Sequence, residues 1–92
     1  MAKVTAVHVS GSTYRVTVAD GGNRTTHDVT VTPQHVARYA PGATPERLLE
    51  ASFAFLLERE PKEAILSRFD LPVIERYFPE YARSIGGRVG MG

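Results

Sequence analysis

Three histidines, His8, His27 and His35, are the residues of this sequence with the widest chemical range. Imidazole is a common ligand of zinc, and three imidazoles can form a catalytic site with one open coordination position. The sequence contains no His-Glu-x-x-His spacing and no cysteine to accompany them. The surrounding pattern puts His8 and His27 on different strands and His35 in the first turn of a helix. We interpret them as unrelated surface or half-buried residues and keep a metal site as the alternative.

Carboxylates and serines show no catalytic pattern. Glu58, Glu60 and Glu63 flank Pro61 and alternate with basic residues, which is typical of a solvated, salt-bridged helix junction rather than of a paired acid and base. No serine lies in a Gly-x-Ser-x-Gly elbow, and Gly11-Ser12 lacks the glycine spacing and the lysine of a phosphate-binding loop. The sequence therefore predicts no catalytic residue and no cofactor.

Large apolar side chains are concentrated in residues 69–81, a stretch that two prolines interrupt. Short helices broken by prolines cannot bury every face, and exposed aromatic residues commonly anchor protein interfaces. We predict that most of this set packs in the core. We also predict that Tyr77, Phe78 and Tyr81 border a surface for a protein partner or for self-association.

Composition and charge describe an ordinary globular domain. Of the 92 residues, 42% are hydrophobic and 23% are charged, and the formal net charge is +1. This balance argues against disorder, which combines low hydrophobicity with high net charge. It provides no concentrated basic face for nucleic acid, and strand alternation puts Arg15 and Tyr14 on opposite faces. We expect no nucleic-acid partner.

No segment indicates export or membrane insertion. The first residues lack the apolar core of a secretory signal. The longest nearly apolar stretch, Phe53 to Leu57, is much shorter than the ~20 residues that cross a bilayer. With no cysteine, disulfides and thiolate zinc sites are excluded. We expect a cytoplasmic protein with no membrane partner.

Alternating polar and apolar residues predict three strands, at residues 3–10, 13–19 and 24–32. The Asp-Gly-Gly-Asn run at 20–23 is a strong hairpin signal, because glycine and asparagine tolerate positive φ. Sequential strands with short connections favour an antiparallel meander. Its first strand has an open edge, rich in valine and threonine, that Lys3 guards weakly, and such edges pair with other chains, as exposed aromatic residues of 69–81 also can. We therefore predict that a homodimer can form.

Proline and threonine mark the starts of helices in the second part of the chain. Thr32-Pro33 and Thr44-Pro45 each combine a capping residue with a proline at the first helical position. Pro61 ends the second helix and begins a third, Asp70-Leu71-Pro72 starts another, and Glu80 to Ile85 adds a last turn. The predicted inward side chains of the third helix are Ile65, Leu66 and Phe69.

These elements together predict an α+β fold, in which an N-terminal three-stranded antiparallel β-meander packs against three to four short C-terminal helices. We predict a single α+β domain over residues 1–85. Residues 86–92 have much glycine and little apolar content, so we expect them to form a flexible tail.

Three segments resemble a family of small uncharacterised prokaryotic proteins: Ser52 to Tyr81, Thr26 to Pro33 and Tyr39 to Glu50. The likeness covers most of the chain and implies one intact domain, without activity, cofactor or site residues to carry over. Gly42-Ala43-Thr44-Pro45-Glu46 is also similar to the Gly-x-Thr-x-Glu helix start of small antitoxins, in which a short meander precedes the helix.

The favoured functional prediction is a small non-catalytic protein-interaction or regulatory module. Two alternatives stay open. One is a small-molecule or metal-binding protein, including a minor enzyme, that uses the histidines near the sheet. The other is an antitoxin-like protein.

Overall fold

The computed structural model describes residues 2–91. Over these residues the fold is α+β, with a four-stranded mixed sheet and four helices, as the sequence predicted for its class. None of these helices has the length and apolar character that would cross a bilayer. The elements in chain order are β1 (Lys3–Ser10), β2 (Thr13–Asp20), β3 (Asn23–Thr30), α1 (Pro33–Tyr39), α2 (Pro45–Leu57), a 3-10 helix (Lys62–Ala64), β4 (Arg68–Asp70), α3 (Val73–Tyr77) and α4 (Tyr81–Met91).

The predicted antiparallel meander is confirmed for β1, β2 and β3. The β2–β3 hairpin closes through Gly21 and Gly22, whose φ angles of 58° and 93° are unfavourable for residues with a Cβ. Val16 and Val18 of β2 are fully buried beneath the helices. Arg15, on the opposite face of the same strand, is half exposed. Strand alternation therefore directs one face of the sheet to the core and leaves the other open.

The prediction of only three strands, with a third helix after Pro61, is wrong. Only the short 3-10 helix forms there, and β4 follows, pairing in parallel with β3 so that Phe69 lies opposite Val29. The Asp28 amide donates to the Ser67 carbonyl at 2.8 Å, and the Leu71 amide donates to the Thr30 carbonyl at 3.0 Å. A strand forms because Phe69 is buried between two exposed charged residues, the period-2 pattern of a sheet.

The core lies between the sheet and the helices, and α2 provides more of it than any other described helix. Thr44 caps α2 by accepting a hydrogen bond from the Arg47 amide at 3.1 Å, as predicted from the Thr-Pro start. The fully buried side chains of α2 that contact this core are Leu48, Leu49, Ser52, Phe53 and Phe55.

Residues 86–92 were predicted to form a flexible tail; in the structure α4 continues through residues 86–91, and Gly92 of this segment lies outside the described residues. Gly86 permits a close approach, since a Cβ there would lie 3.4 Å from the Tyr39 carbonyl oxygen. Arg88 donates to Glu58 at 2.7 Å, and Val89 is half-buried against the core. These tertiary contacts outweigh the low helix propensity of glycine.

A candidate protein-binding groove

The buried histidine His27 makes two hydrogen bonds inside the protein. Its Nδ1 lies 2.8 Å from the Leu66 carbonyl oxygen and its Nε2 lies 2.8 Å from Thr25 Oγ1. Because a carbonyl only accepts, Nδ1 carries the proton that bonds Leu66, and Nε2 pairs with the threonine hydroxyl. The ring also packs against Phe53, with centroids 5.3 Å apart. His27 therefore fixes the segment that leads into β4.

The other two histidines stabilise local turns. His8 donates from Nε2 to the Gly11 carbonyl at 2.8 Å in the β1–β2 turn. His35 completes a capping box with Thr32, in which the Thr32 amide donates to His35 Nδ1 at 3.1 Å. Within residues 2–91 no three His, Cys, Asp or Glu side chains are grouped as metal ligands, so the structure does not bring His8, His27 and His35 together.

Glu58 and Glu63 of the acidic cluster form ion pairs on the surface, as expected for a solvated helix junction. The Arg88 hydrogen bond, followed by the charge of Arg88 and Arg59, lowers the pKa of Glu58. Lys62 lies 2.8 Å from Glu63, and its hydrogen bond lowers the pKa of that carboxyl. Neither carboxyl has the raised pKa that an enzymatic general acid needs.

The prediction that Tyr81 borders a binding surface is wrong, because its side chain is fully buried and cannot face a partner. Its Oη lies 2.7 Å from Ser52 Oγ, and its ring packs against Phe55 and Tyr39 with centroids 5.4 and 5.1 Å apart. Burial raises the pKa of the Tyr81 hydroxyl. Tyr81 is therefore a core residue that joins α4 to α2.

Tyr77 and Phe78, by contrast, line a surface groove of about 220 Å³. The Tyr77 side chain is 67% exposed, and Phe78 is half-buried with its ring edge against Phe55, the centroids 6.0 Å apart. Other apolar side chains along the groove are Leu56, Ile65, Leu66, Phe69, Val73 and Ile74. Glu60 is the only lining residue with a carboxyl or a basic group. The groove is thus an apolar surface with a single charge.

Leu66 is the groove residue that the sequence interpretation misplaced. Its side chain was expected to face inward on a helix, yet it is 46% exposed, while the adjacent Ile65 is buried. Both could not be buried, because the chain becomes extended here and successive side chains point to opposite sides. The alternation in Ser67-Arg68-Phe69-Asp70 is a local hint of this strand, but it is too short to establish a period.

Comparison with protein-family models, with curated proteins and with solved structures finds no match to this chain. The resemblance to small prokaryotic proteins and the likeness to antitoxins therefore stay predictions.

Proposed function

We propose that this protein is a non-catalytic protein-interaction module that buries its apolar groove against another polypeptide chain. The observation that carries the proposal is the position of Leu66 and Tyr77, which are both large, exposed and apolar in character, on one groove. Burying a fully exposed leucine side chain contributes about 1.5–3 kcal/mol, of which the half-exposed Leu66 can supply a part, and tyrosine is a frequent anchor of protein interfaces.

The size and lining of the groove favour a protein partner over a small molecule. Its volume of about 220 Å³ is below the ~300–1,000 Å³ typical of small-molecule pockets. Such pockets are lined mainly by apolar side chains with a few precisely placed polar groups, and here only Glu60 and the Tyr77 hydroxyl could supply side-chain polar contacts. His8, His27 and His35 make their hydrogen bonds in three separate parts of the structure, which gives little support to the histidine-based alternative.

Site-specific photo-crosslinking in the cells of the source organism tests the proposal. The photoreactive residue p-benzoylphenylalanine replaces Tyr77 in one preparation and Val7 in a matched control. Val7 is also apolar and 57% exposed, but it lies on β1, on the other side of β2 and β3 from β4. We expect a discrete crosslinked protein from position 77 and much less from position 7. Equal yields, or no crosslink at position 77, would overturn the proposed function.

A further inference from the structure

The strand β4 is an edge of the sheet next to the groove, and no described strand lies beyond it. Its inward hydrogen bonds alternate: the Ser67 carbonyl accepts from Asp28, and the Leu71 amide donates to Thr30. In a parallel ladder every second residue directs its amide and carbonyl groups toward the neighbouring strand. The residues between them direct these groups away from that strand, here toward the open edge. Arg68 and Asp70 therefore present two donors and two acceptors along the open edge.

The side chains of this edge have opposite charges on the open sheet face. Arg68 and Asp70 flank the buried Phe69, and the side chain of Arg68 is 86% exposed. Its nearest carboxylate, Asp28, lies 3.9 Å away and also pairs with Arg15 at 3.1 Å. The exposed guanidinium of Arg68 can therefore form an ion pair with a further carboxylate from a partner.

The geometry points to a second copy of this chain as the occupant, paired antiparallel through β4 about a two-fold axis at Phe69. This register puts Arg68 of each copy opposite Asp70 of the other, so two ion pairs form at once. It also makes Arg68 and Asp70 the hydrogen-bonded positions, and their outward backbone groups form four inter-chain hydrogen bonds. Two-fold registers centred on Arg68 or Asp70 would instead oppose like charges. The inference rests on the proposed function and specifies its partner.

The same two-fold axis joins the two grooves. Leu66 and Tyr77 line the groove beside β4, so this pairing brings the grooves of the two copies toward each other. Because a strand of three residues is too short to hold a dimer alone, the inferred interface includes the apolar side chains of the two grooves.

The opposite edge of the sheet is less suited to pairing. In β1 the register with β2 shifts between His8 and Ser10, which leaves Val9 as a bulge. Bulges protect edge strands from pairing with other chains, and β1, with Lys3 as its only Lys, Arg, Asp or Glu, offers no self-complementary pair of charges. Pairing through β1 is an alternative outcome of the experiment below.

Sedimentation equilibrium on the purified full chain tests the inference through charge reversal. We expect Arg68→Asp and Asp70→Arg each to weaken the dimer about tenfold or more, because the two-fold axis repeats every like-charge contact. The double variant Arg68→Asp/Asp70→Arg restores opposite charges and should dimerise like the wild type. An equimolar mixture of the two single variants should form a heterodimer. Arg24→Asp, on the same open face far from β4, is the matched control.

Several outcomes would overturn the inference. They are a wild type that stays monomeric at high concentration, a dimer that Val7→Asp dissociates and Arg68→Asp does not, and a double variant that fails to recover. Circular dichroism confirms that each variant is folded. The crosslink at Tyr77 separates the two proposals: the chain's own sequence in the product supports both, a foreign protein overturns only the dimer, and no product overturns both.

Discussion

Tyr81 Oη lies 2.7 Å from Ser52 Oγ in the interior of the molecule, where both side chains are fully buried. The Ser52 hydroxyl also lies 2.7 Å from the Leu48 carbonyl oxygen, which can only accept. Ser52 therefore donates to Leu48, and Tyr81 donates to Ser52. This chain of two hydrogen bonds links α4 to the middle of α2.

The order of donors predicts unequal effects of removing the two hydroxyls. Tyr81→Phe leaves Ser52 bonded to Leu48, so we expect a loss of about 1 kcal/mol in the free energy of unfolding. Ser52→Ala leaves the buried Tyr81 hydroxyl without an acceptor and should cost about 1–3 kcal/mol. Urea denaturation measures both. The double variant should lose less than the sum of the two single losses, and strict additivity would contradict the hydrogen bond.

We expect His27→Ala to destabilise the protein by about 2–4 kcal/mol, because it removes buried ring volume and two hydrogen bonds. His8→Ala is the comparison, since His8 lies at an exposed turn and should change stability by about 0.5–1 kcal/mol. Thermal and urea unfolding of both variants test this difference. A zinc-dependent rise in stability that all three single histidine variants abolish would instead support the metal-site alternative.

Local patterns in the sequence were sufficient to predict the meander. Val16 and Val18 alternate with polar residues, and Gly21-Gly22 provides the positive φ angles of a tight hairpin. Both signals act over neighbouring residues. The strand β4 escaped prediction because three residues are too few to establish a period, and its partner strand lies about forty residues earlier in the chain.

Of the three residues predicted to border a binding surface, Tyr77 and Phe78 line the groove, whereas Tyr81 is buried in the core. Residues four apart, such as Tyr77 and Tyr81, share a face on a continuous helix. Here the chain leaves the helical conformation at Phe78, where φ is −133° and ψ is 86°, and Pro79 follows. The two tyrosines therefore belong to different helices, and burial of the second depends on contacts with α1 and α2 that sequence spacing does not encode.

Glycine substitutions in α4 distinguish a helix from a flexible tail. Gly87 has open space around the position of a Cβ, so Gly87→Ala should stabilise the protein by about 0.5–1 kcal/mol through helix propensity. Gly86→Ala should gain less, because its Cβ would lie 3.4 Å from the Tyr39 carbonyl oxygen. Thermal denaturation measures both. If residues 86–91 were a flexible tail, neither substitution would change stability.

Ionisation of the Tyr39 hydroxyl makes the free energy of unfolding depend on pH in the alkaline range. Burial, followed by the hydrogen bond of its hydroxyl to Glu75 at 2.7 Å, raises the pKa of Tyr39 from 10.0 to about 12. Because the folded pKa is above the unfolded value, this group's contribution is complete below pH 10 and is lost as the pH rises through 12. We therefore expect the free energy of unfolding to fall between pH 10 and 12.

The variant Tyr39→Phe isolates that contribution. It removes the hydrogen bond to Glu75 at every pH and should cost about 1 kcal/mol at pH 7. Above pH 10 its stability should fall less steeply than that of the wild type, because one ionisation that opposes folding is gone. Buried Tyr81, whose pKa is also raised by burial, remains in both proteins and accounts for a residual slope. Urea unfolding at pH 9, 10 and 11 measures the two slopes, and equal slopes would show that Tyr39 is not the linked group.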